Sequence, residues 1–453
     1  VTASSSGSRF KNIKLSRRKL LTGSASAIAG AAIVSKADRT SAFFNLGAMW
    51  KSNKGSSWSN WDGSKDSAWT QVISGASNRN LYSGGGIDSY PKRGNFFGTG
   101  GETATNVLLF VEDYYSPYPC YLYKFSVNYS GKSISQVGSI YSFNSSSPGW
   151  IGSESLNAFN DNAAWGLCTN GTPIHQKVGV ITHNGTGVTG LSSSGVLTSP
   201  QGVYPIAEPL DATKAICALN NGAGGSSFVC IATQSGNSFS STGSNLQLVG
   251  SDGSGAAPII VRPGASDKSL CIYPSNHTNT ATLYAQMLSH ASTTVATLGS
   301  SFTLSTSVYQ YGYCLSSCLD TYGNSGNRWI ASWNEAGTTK ACILRYDGSS
   351  LSEGPVVTFA AGPTMGTSRG FLVMSPGVVL FFPDSANPTF AVLTYNSADS
   401  TSTSLAIANS WQSVPSGANS YTSMNVARIS DTQFILFRVN TSDRSIWAKF
   451  VCV

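Results

Sequence analysis

The chain has 453 residues, of which 41% are hydrophobic and only 11% charged. No apolar run reaches the roughly 20 residues that a bilayer span needs, so a stable membrane helix is not expected. The net charge of +7 divides into +9 on residues 1–54 and −2 on the remainder, and a near-neutral main body argues against nucleic-acid binding there.

Residues 1–40 read as a basic leader. A Ser-rich start is followed by Leu15-Ser-Arg-Arg-Lys-Leu-Leu-Thr22, a mild Gly/Ala-rich run to Val34, and Ser35-Lys-Ala37. Arg17, Arg18 and Lys19 ahead of that run resemble the core of a twin-arginine export signal, with Leu20 in place of the frequent Phe and Ser35 and Ala37 placed as at a cleavage site. The resemblance implies export of a folded protein to the periplasm or beyond. In the other reading the segment, partly helical or extended, stays on the chain and is held by partner subunits, since a free terminus of this composition is disordered. The setting then expected is a bacteriophage virion, with Arg17, Arg18 and Lys19 anchoring the chain to other virion proteins.

Residues 41–66 form a connector rich in aromatics: Phe43, Phe44, Trp50, Trp58 and Trp61, with Trp69 just beyond. Such irregular spacing suits the cap of a β core, a carbohydrate platform or a partner interface. Ser64-Lys-Asp-Ser-Ala-Trp69 partly resembles a sialidase Asp-box, as a single copy. Trp69-Thr-Gln-Val-Ile-Ser-Gly75 reads as a lone strand ahead of the repeats.

From residue 67 onward one phrase recurs. It is clearest between Tyr204 and Gly250, where Lys214-Ala-Ile-Cys-Ala-Leu219 and Phe228-Val-Cys-Ile-Ala-Thr233 are apolar almost without alternation and are separated by Asn- and Gly-rich turn residues. Continuous apolar runs of that length predict strands buried on both faces. The second strand of each copy is placed at Val107, Ala164, Ala215, Leu270, Trp329, Val378 and Phe434, about 54 residues apart. Four short strands per copy resemble the blade of a seven-bladed β-propeller, without the signature of a named repeat family. The fold class expected is therefore all-β, with residues 67–453 forming the propeller. The last copy ends at Val453 directly after its third strand, so its outer strand must come from elsewhere, and Trp69 to Gly75 is the expected donor.

Chemistry-bearing motifs are sparse. Most of the nine cysteines fall within predicted strands and read as small buried hydrophobes, although Cys217 and Cys230 flank one hairpin and could stand opposite each other. The four histidines show no ligand spacing, so no metal and no cofactor is expected. With no nucleophile elbow, phosphate loop or pairable carboxylates, the sequence reads as a non-enzyme. Function is expected in the turns between second and third strands. Glu112, Asp113, Tyr114, Tyr115 and Tyr118 combine acids with aromatic faces, as Asn334-Glu-Ala-Gly337 and the turn after Pro274 do with Asn or acid groups, which is the chemistry of sugar recognition. Host-surface glycans or a neighbouring virion protein are the expected ligands.

Overall fold

The computed structural model describes residues 58–453 apart from 76–78, 81–86, 91–104, 114–119, 144–155, 161–162, 171–174, 192–194, 197–205, 211–212, 221–225, 236–237, 251–258, 265–266, 277–279, 291–292, 321–326, 360–369, 384–387 and 417–420. Residues 53–453 belong to one compact unit. The leader residues Arg17, Arg18 and Lys19 lie outside the described residues. No described helix is long and apolar enough to cross a membrane.

The described residues form antiparallel meander sheets in chain order, and the architecture is an all-β propeller arrangement. The stretch that is clearest in the sequence folds as Ile206–Pro209, Lys214–Asn220, Ser227–Ser235 and Ser238–Val249, each strand paired with the next. The same order recurs in Gly370–Ser375, Val378–Phe382, Thr389–Tyr395 and Leu405–Ser413. Every apolar run read as a second strand lies in one, at Asn106–Asp113, Ala163–Asn170, Lys214–Asn220, Lys268–Pro274, Asn327–Glu335, Val378–Phe382 and Gln433–Asn440.

Gln433–Asn440 shows why these runs do not alternate. All eight residues are buried. Phe434 and Leu436 pack with Phe382, Phe390 and Val392 of the preceding sheet, whereas Ile435, Phe437 and Val439 pack with Val107, Leu109 and Phe125 of the first sheet. A strand enclosed by two neighbouring sheets needs apolar side chains on both faces, each contributing about 1.5–3 kcal/mol when fully buried. The same packing places the last sheet against the first.

One sheet is wider than the rest. Its 20-residue strand Ala296–Leu315 pairs with Ala281–Ser289 from Ala296 to Val308, then with Asn327–Glu335 through Val308 and residues 313–315. Between the two pairings the register breaks. Across this break Leu270, Leu283 and Met287 share a core with Trp329, Trp333 and Leu344, so the two halves of the sheet face one another as neighbouring sheets do elsewhere.

The terminal sheet is completed from the N-terminal side. Thr70–Ile73 pairs antiparallel with Ile446–Cys452, matching Thr70 to Ala448 and Gln71 to Trp447. Residues before this strand clamp it. Ser67 N donates to Phe450 O at 3.0 Å, Phe450 N donates to Ser67 Oγ at 2.9 Å, and Asp66 Oδ1 accepts Cys452 N at 3.0 Å. Trp58, fully buried, stacks on Phe434 with centroids 5.7 Å apart and donates Nε1 to Asp431 O at 2.8 Å. Trp61 packs on Phe390 and donates to Asp66 Oδ1 at 3.1 Å. Of the uses open to the connector aromatics, these two serve as core; Phe43, Phe44 and Trp50 lie outside the described residues.

Turns after several third strands are built on Asp or Asn side chains. Asp347 Oδ1 accepts the backbone N–H groups of Ser349 and Ser350, both at 2.8 Å, and Asp399 Oδ1 accepts Thr401 N at 2.8 Å. Such bonds favour the ionised carboxylates: for Asp399 the Thr401 hydroxyl, donating to Oδ1 at 2.6 Å, comes ahead of the backbone bond, for Asp347 the backbone bonds come first, and both carboxyls are held below their ordinary 3.8. A folded-state value below the unfolded one means that the stabilisation is complete above pH 3.8 and lost as pH falls through the folded value. Thermal unfolding followed from pH 6 to pH 2 should therefore show an acid loss of stability that is smaller in Asp347→Asn than in the parent. Equal acid slopes would show that the turn carboxylate carries none of it.

Candidate functional site

The first strands of the sheets lie side by side and carry charged residues at corresponding positions. Arg262 of Ile260–Pro263 bonds through Nη1 to Glu208 Oε1 of Ile206–Pro209, and through Nε to Leu315 O at 3.2 Å. One guanidinium thus ties the sheet that holds Ile206–Pro209 to both halves of the wide sheet. Arg428 does similar work, donating Nε to Met374 O at 2.9 Å and Nη2 to Asp431 Oδ1 at 2.6 Å. The charge in these clamps is directed at protein partners, and they read as structural.

A different arrangement occurs on the hairpin joining Asn327–Glu335 to Thr338–Tyr346. Ala336 and Gly337 both adopt positive φ, 50° and 80°, which makes the two-residue turn that antiparallel strands favour. Trp333 stands opposite Lys340, and Glu335 follows two residues later on the same face. Glu335 Oε2 accepts Ser305 Oγ at 2.8 Å and Trp333 Nε1 at 3.2 Å, while Oε1 accepts Lys340 Nζ at 3.1 Å. The Ser305 hydrogen bond is the foremost cause holding the Glu335 carboxyl below its ordinary 4.5, with Lys340 and Trp333 adding to it. About a third of this side chain remains exposed, 32%, with Lys340 at 28%.

The neighbouring strand supplies an aromatic face. Val308 pairs with Glu335, and residues 309–312 bulge out before pairing resumes at Tyr313. Tyr309, the first bulge residue, is exposed at 44%. The bulge lies close over Asn334: a methyl group on Gly312 would come within 3.1 Å of Asn334 Cβ and 3.3 Å of Tyr309 Cβ. Asn334 is itself positioned, accepting Gly337 N on Oδ1 at 3.0 Å. The outcome is a fixed carboxylate and an ammonium, both partly open, on a hairpin whose neighbouring strand carries an exposed phenol ring. Such a set can accept and donate hydrogen bonds to vicinal hydroxyls and stack on an apolar CH face. Held ionised, Glu335 is a hydrogen-bond acceptor at neutral pH.

Of the residues singled out in the sequence, Asn334 and Glu335 are part of this arrangement. Glu112 and Asp113 end the strand Asn106–Asp113, where their backbones pair with Asn80 and Arg79; their side chains, and Tyr114, Tyr115 and Tyr118, lie outside the described residues. Sequence reasoning missed Ser305, Tyr309, Trp333 and Lys340. Lys340 had a signal, since the Ala336-Gly337 turn fixes it opposite Trp333, whereas Ser305 and Tyr309 come from another strand. Among the described residues no group of three or more His, Cys, Asp or Glu could hold a metal ion.

The fold defines the chain as a β-propeller. No protein-family model matches it, and no curated protein does. Similar solved structures include a putative 6-phosphogluconolactonase from Bacteroides uniformis, 8% identical over 69% of this chain and 83% of that one, with a TM-score of 0.48. The β-propeller domain of the Trilobed protease from Pyrococcus furiosus is 8% identical over 82% of this chain and 98% of that one, with a TM-score of 0.41. An oligogalacturonate lyase in complex with manganese is 8% identical over 86% of this chain and 98% of that one, with a TM-score of 0.40. These likenesses transfer no activity and no site. One expectation is corrected: the reading of the chain as a non-enzyme, drawn from missing linear motifs, does not stand, since propellers named as a lactonase and a lyase are among the similar structures and the architecture gives no ground for excluding catalysis. A propeller assembles a site from distant strands, so a missing linear motif says little about catalysis.

Proposed function

We propose that this chain is a seven-bladed propeller that binds carbohydrate at the turn face carrying the Glu335 hairpin, and that it attaches its bearer to a glycan-coated surface. The blade number is supported by counting the long strand Ala296–Leu315 twice, as the outer strand of one blade and, in its last residues, the inner strand of the next. Contacts between first strands then run in chain order and return from Tyr421–Ser430 to Ile87–Tyr90.

The observation that carries the binding reading is the Glu335 carboxylate, fixed by Ser305, Trp333 and Lys340 yet still partly open to solvent, on a hairpin whose neighbouring strand carries the exposed Tyr309. The turn from Glu112 to Tyr118 joins second and third strands just as the Glu335 hairpin does, so in a propeller both belong to one face. Glycan binding is compatible with both readings of the leader, docking into a virion and twin-arginine export.

The test is binding of the full chain to a panel of immobilised oligosaccharides, compared with Glu335→Gln and Tyr309→Ala. Losing a hydrogen bond to a charged group weakens binding by about tenfold or more. Each variant should show that loss with an unchanged melting temperature. No binding to any glycan, or equal binding by parent and variants, would overturn the assignment.

A further inference from the structure

We propose that Cys217 and Cys230 are a disulfide site, closed when the chain folds in the presence of a small disulfide oxidant. The two residues are register partners on the paired strands Lys214–Asn220 and Ser227–Ser235, between the pairs Ile216 with Ile231 and Ala218 with Val229. Directly opposed residues of an antiparallel pair have Cα atoms about 4.5–5.5 Å apart, inside the range of about 4.4–6.8 Å that a disulfide spans. Being opposed, both side chains leave the sheet on one face. The Cys230 thiol is also the foremost cause raising the Cys217 thiol above its ordinary value, as expected of two side chains within reach of one another. Among the described pairings no other two cysteines oppose each other: Cys271 faces Val261 and Gln286, Cys314 faces Ser332, Cys342 faces Ala331 and Cys452 faces Gln433.

The oxidant is a low-molecular-weight disulfide, RSSR. One cysteine thiolate attacks it, forming a mixed disulfide and releasing RS−, which takes up a proton; the second thiolate then displaces the other RS− and closes the S–S bond. Two protons and two electrons leave the pair, and two RSH form. In the finished fold both residues are buried, with Cys217 at 0% exposure and Cys230 at 1%. The Cys230 thiol, then burial, push the Cys217 thiol up. Thiolate is the reactive form, so the folded, reduced pair is inert, and closure takes place while the hairpin is still opening and closing during folding. Once formed, the bond is shielded from reductants by the same burial, and it restricts the unfolded chain.

The experiment refolds the full chain from denaturant with and without glutathione disulfide, then unfolds it without reductant, alkylates it and maps the peptides. With oxidant, the peptides carrying Cys217 and Cys230 should appear linked, lighter by two hydrogens than the free pair. The remaining buried cysteines should be alkylated, and the melting temperature should rise by several degrees over the reduced protein. The double variant Cys217→Ser, Cys230→Ser should show no oxidant-dependent rise. Should refolding fail, the same mapping applies to chain purified from an oxidising secretory host. Alkylation of both cysteines in folded, oxidant-treated protein, or linkage of either to a different cysteine, overturns the proposal.

Discussion

Replacing Arg328 by Met should destabilise the protein by about 3–5 kcal/mol, the effect expected when one partner of a buried ion pair is removed and the other is left uncompensated. Arg328 and Asp320 form a pair in which each side chain is 1% exposed, with Nη2 at 2.7 Å from Oδ1 and Nε at 2.9 Å from the same oxygen. The guanidinium also crosses to the next sheet, where Nη1 donates to the carbonyls of Asn396, Asp399 and Ser402 at 2.7–2.9 Å. Its Cζ lies 5.5 Å from the centroid of the Tyr395 ring, whose hydroxyl donates back to Leu319 O. Removing the pair together, as Arg328→Met with Asp320→Leu, should recover only part of the loss, since three backbone carbonyls still lose their donor. Urea unfolding midpoints decide this. A single variant as stable as the parent would mean that water replaces the guanidinium and that the 396–402 turn is not held by it.

Closure of the terminal sheet should be the second large effect. Trp58→Ala removes a fully buried indole that touches Phe390 and Phe434 and donates to Asp431 O, a change that costs about 3–5 kcal/mol in packed cores. Deleting residues 66–76 is more severe. It removes Thr70–Ile73 and exposes the hydrogen-bonding edge of Ile446–Cys452, an edge able to recruit other chains. Light scattering and differential scanning calorimetry should show aggregation together with a lowered melting temperature. A monomeric deletion variant with the parent's melting temperature would show that the edge strand is dispensable.

Much of this architecture could be read before any coordinates, and the reason is specific. Strands such as Val378–Phe382 are buried along their whole length between two sheets, so hydrophobicity alone marks them, and equal spacing marks the repeat. The strand Thr70–Ile73, paired with Ile446–Cys452, falls within Trp69 to Gly75, the stretch expected to supply the outer strand. What could not be read was the strand Ala296–Leu315, in which two roles run together: the break at 309–312 carries a lone glycine, Gly312, between tyrosines, which does not stand out from Gly299 within the same strand.

The candidate site was legible only where it was local. Asn334 and Glu335 stand in one turn and have the chemistry expected of a sugar-binding loop. Ser305 fixes Glu335 from another strand, and Tyr309 is brought near by a register break, which no periodic pattern signals. The arginine clamps were hidden for a similar reason: the partners of Arg328 lie 8 and 68–74 positions away, and their recognition depends on which sheet follows which.

The central claim is that ligand meets the Glu335 hairpin, and amide hydrogen exchange tests it most directly. The full chain, with and without an oligosaccharide that it binds, should show slowed exchange confined to segments around 305–312 and 333–340, with further protection near 112–120 if the two turns share one face. Protection confined to the first strands around Glu208 and Arg262, with 333–340 unchanged, would contradict the account and move the site to the inner-strand charges.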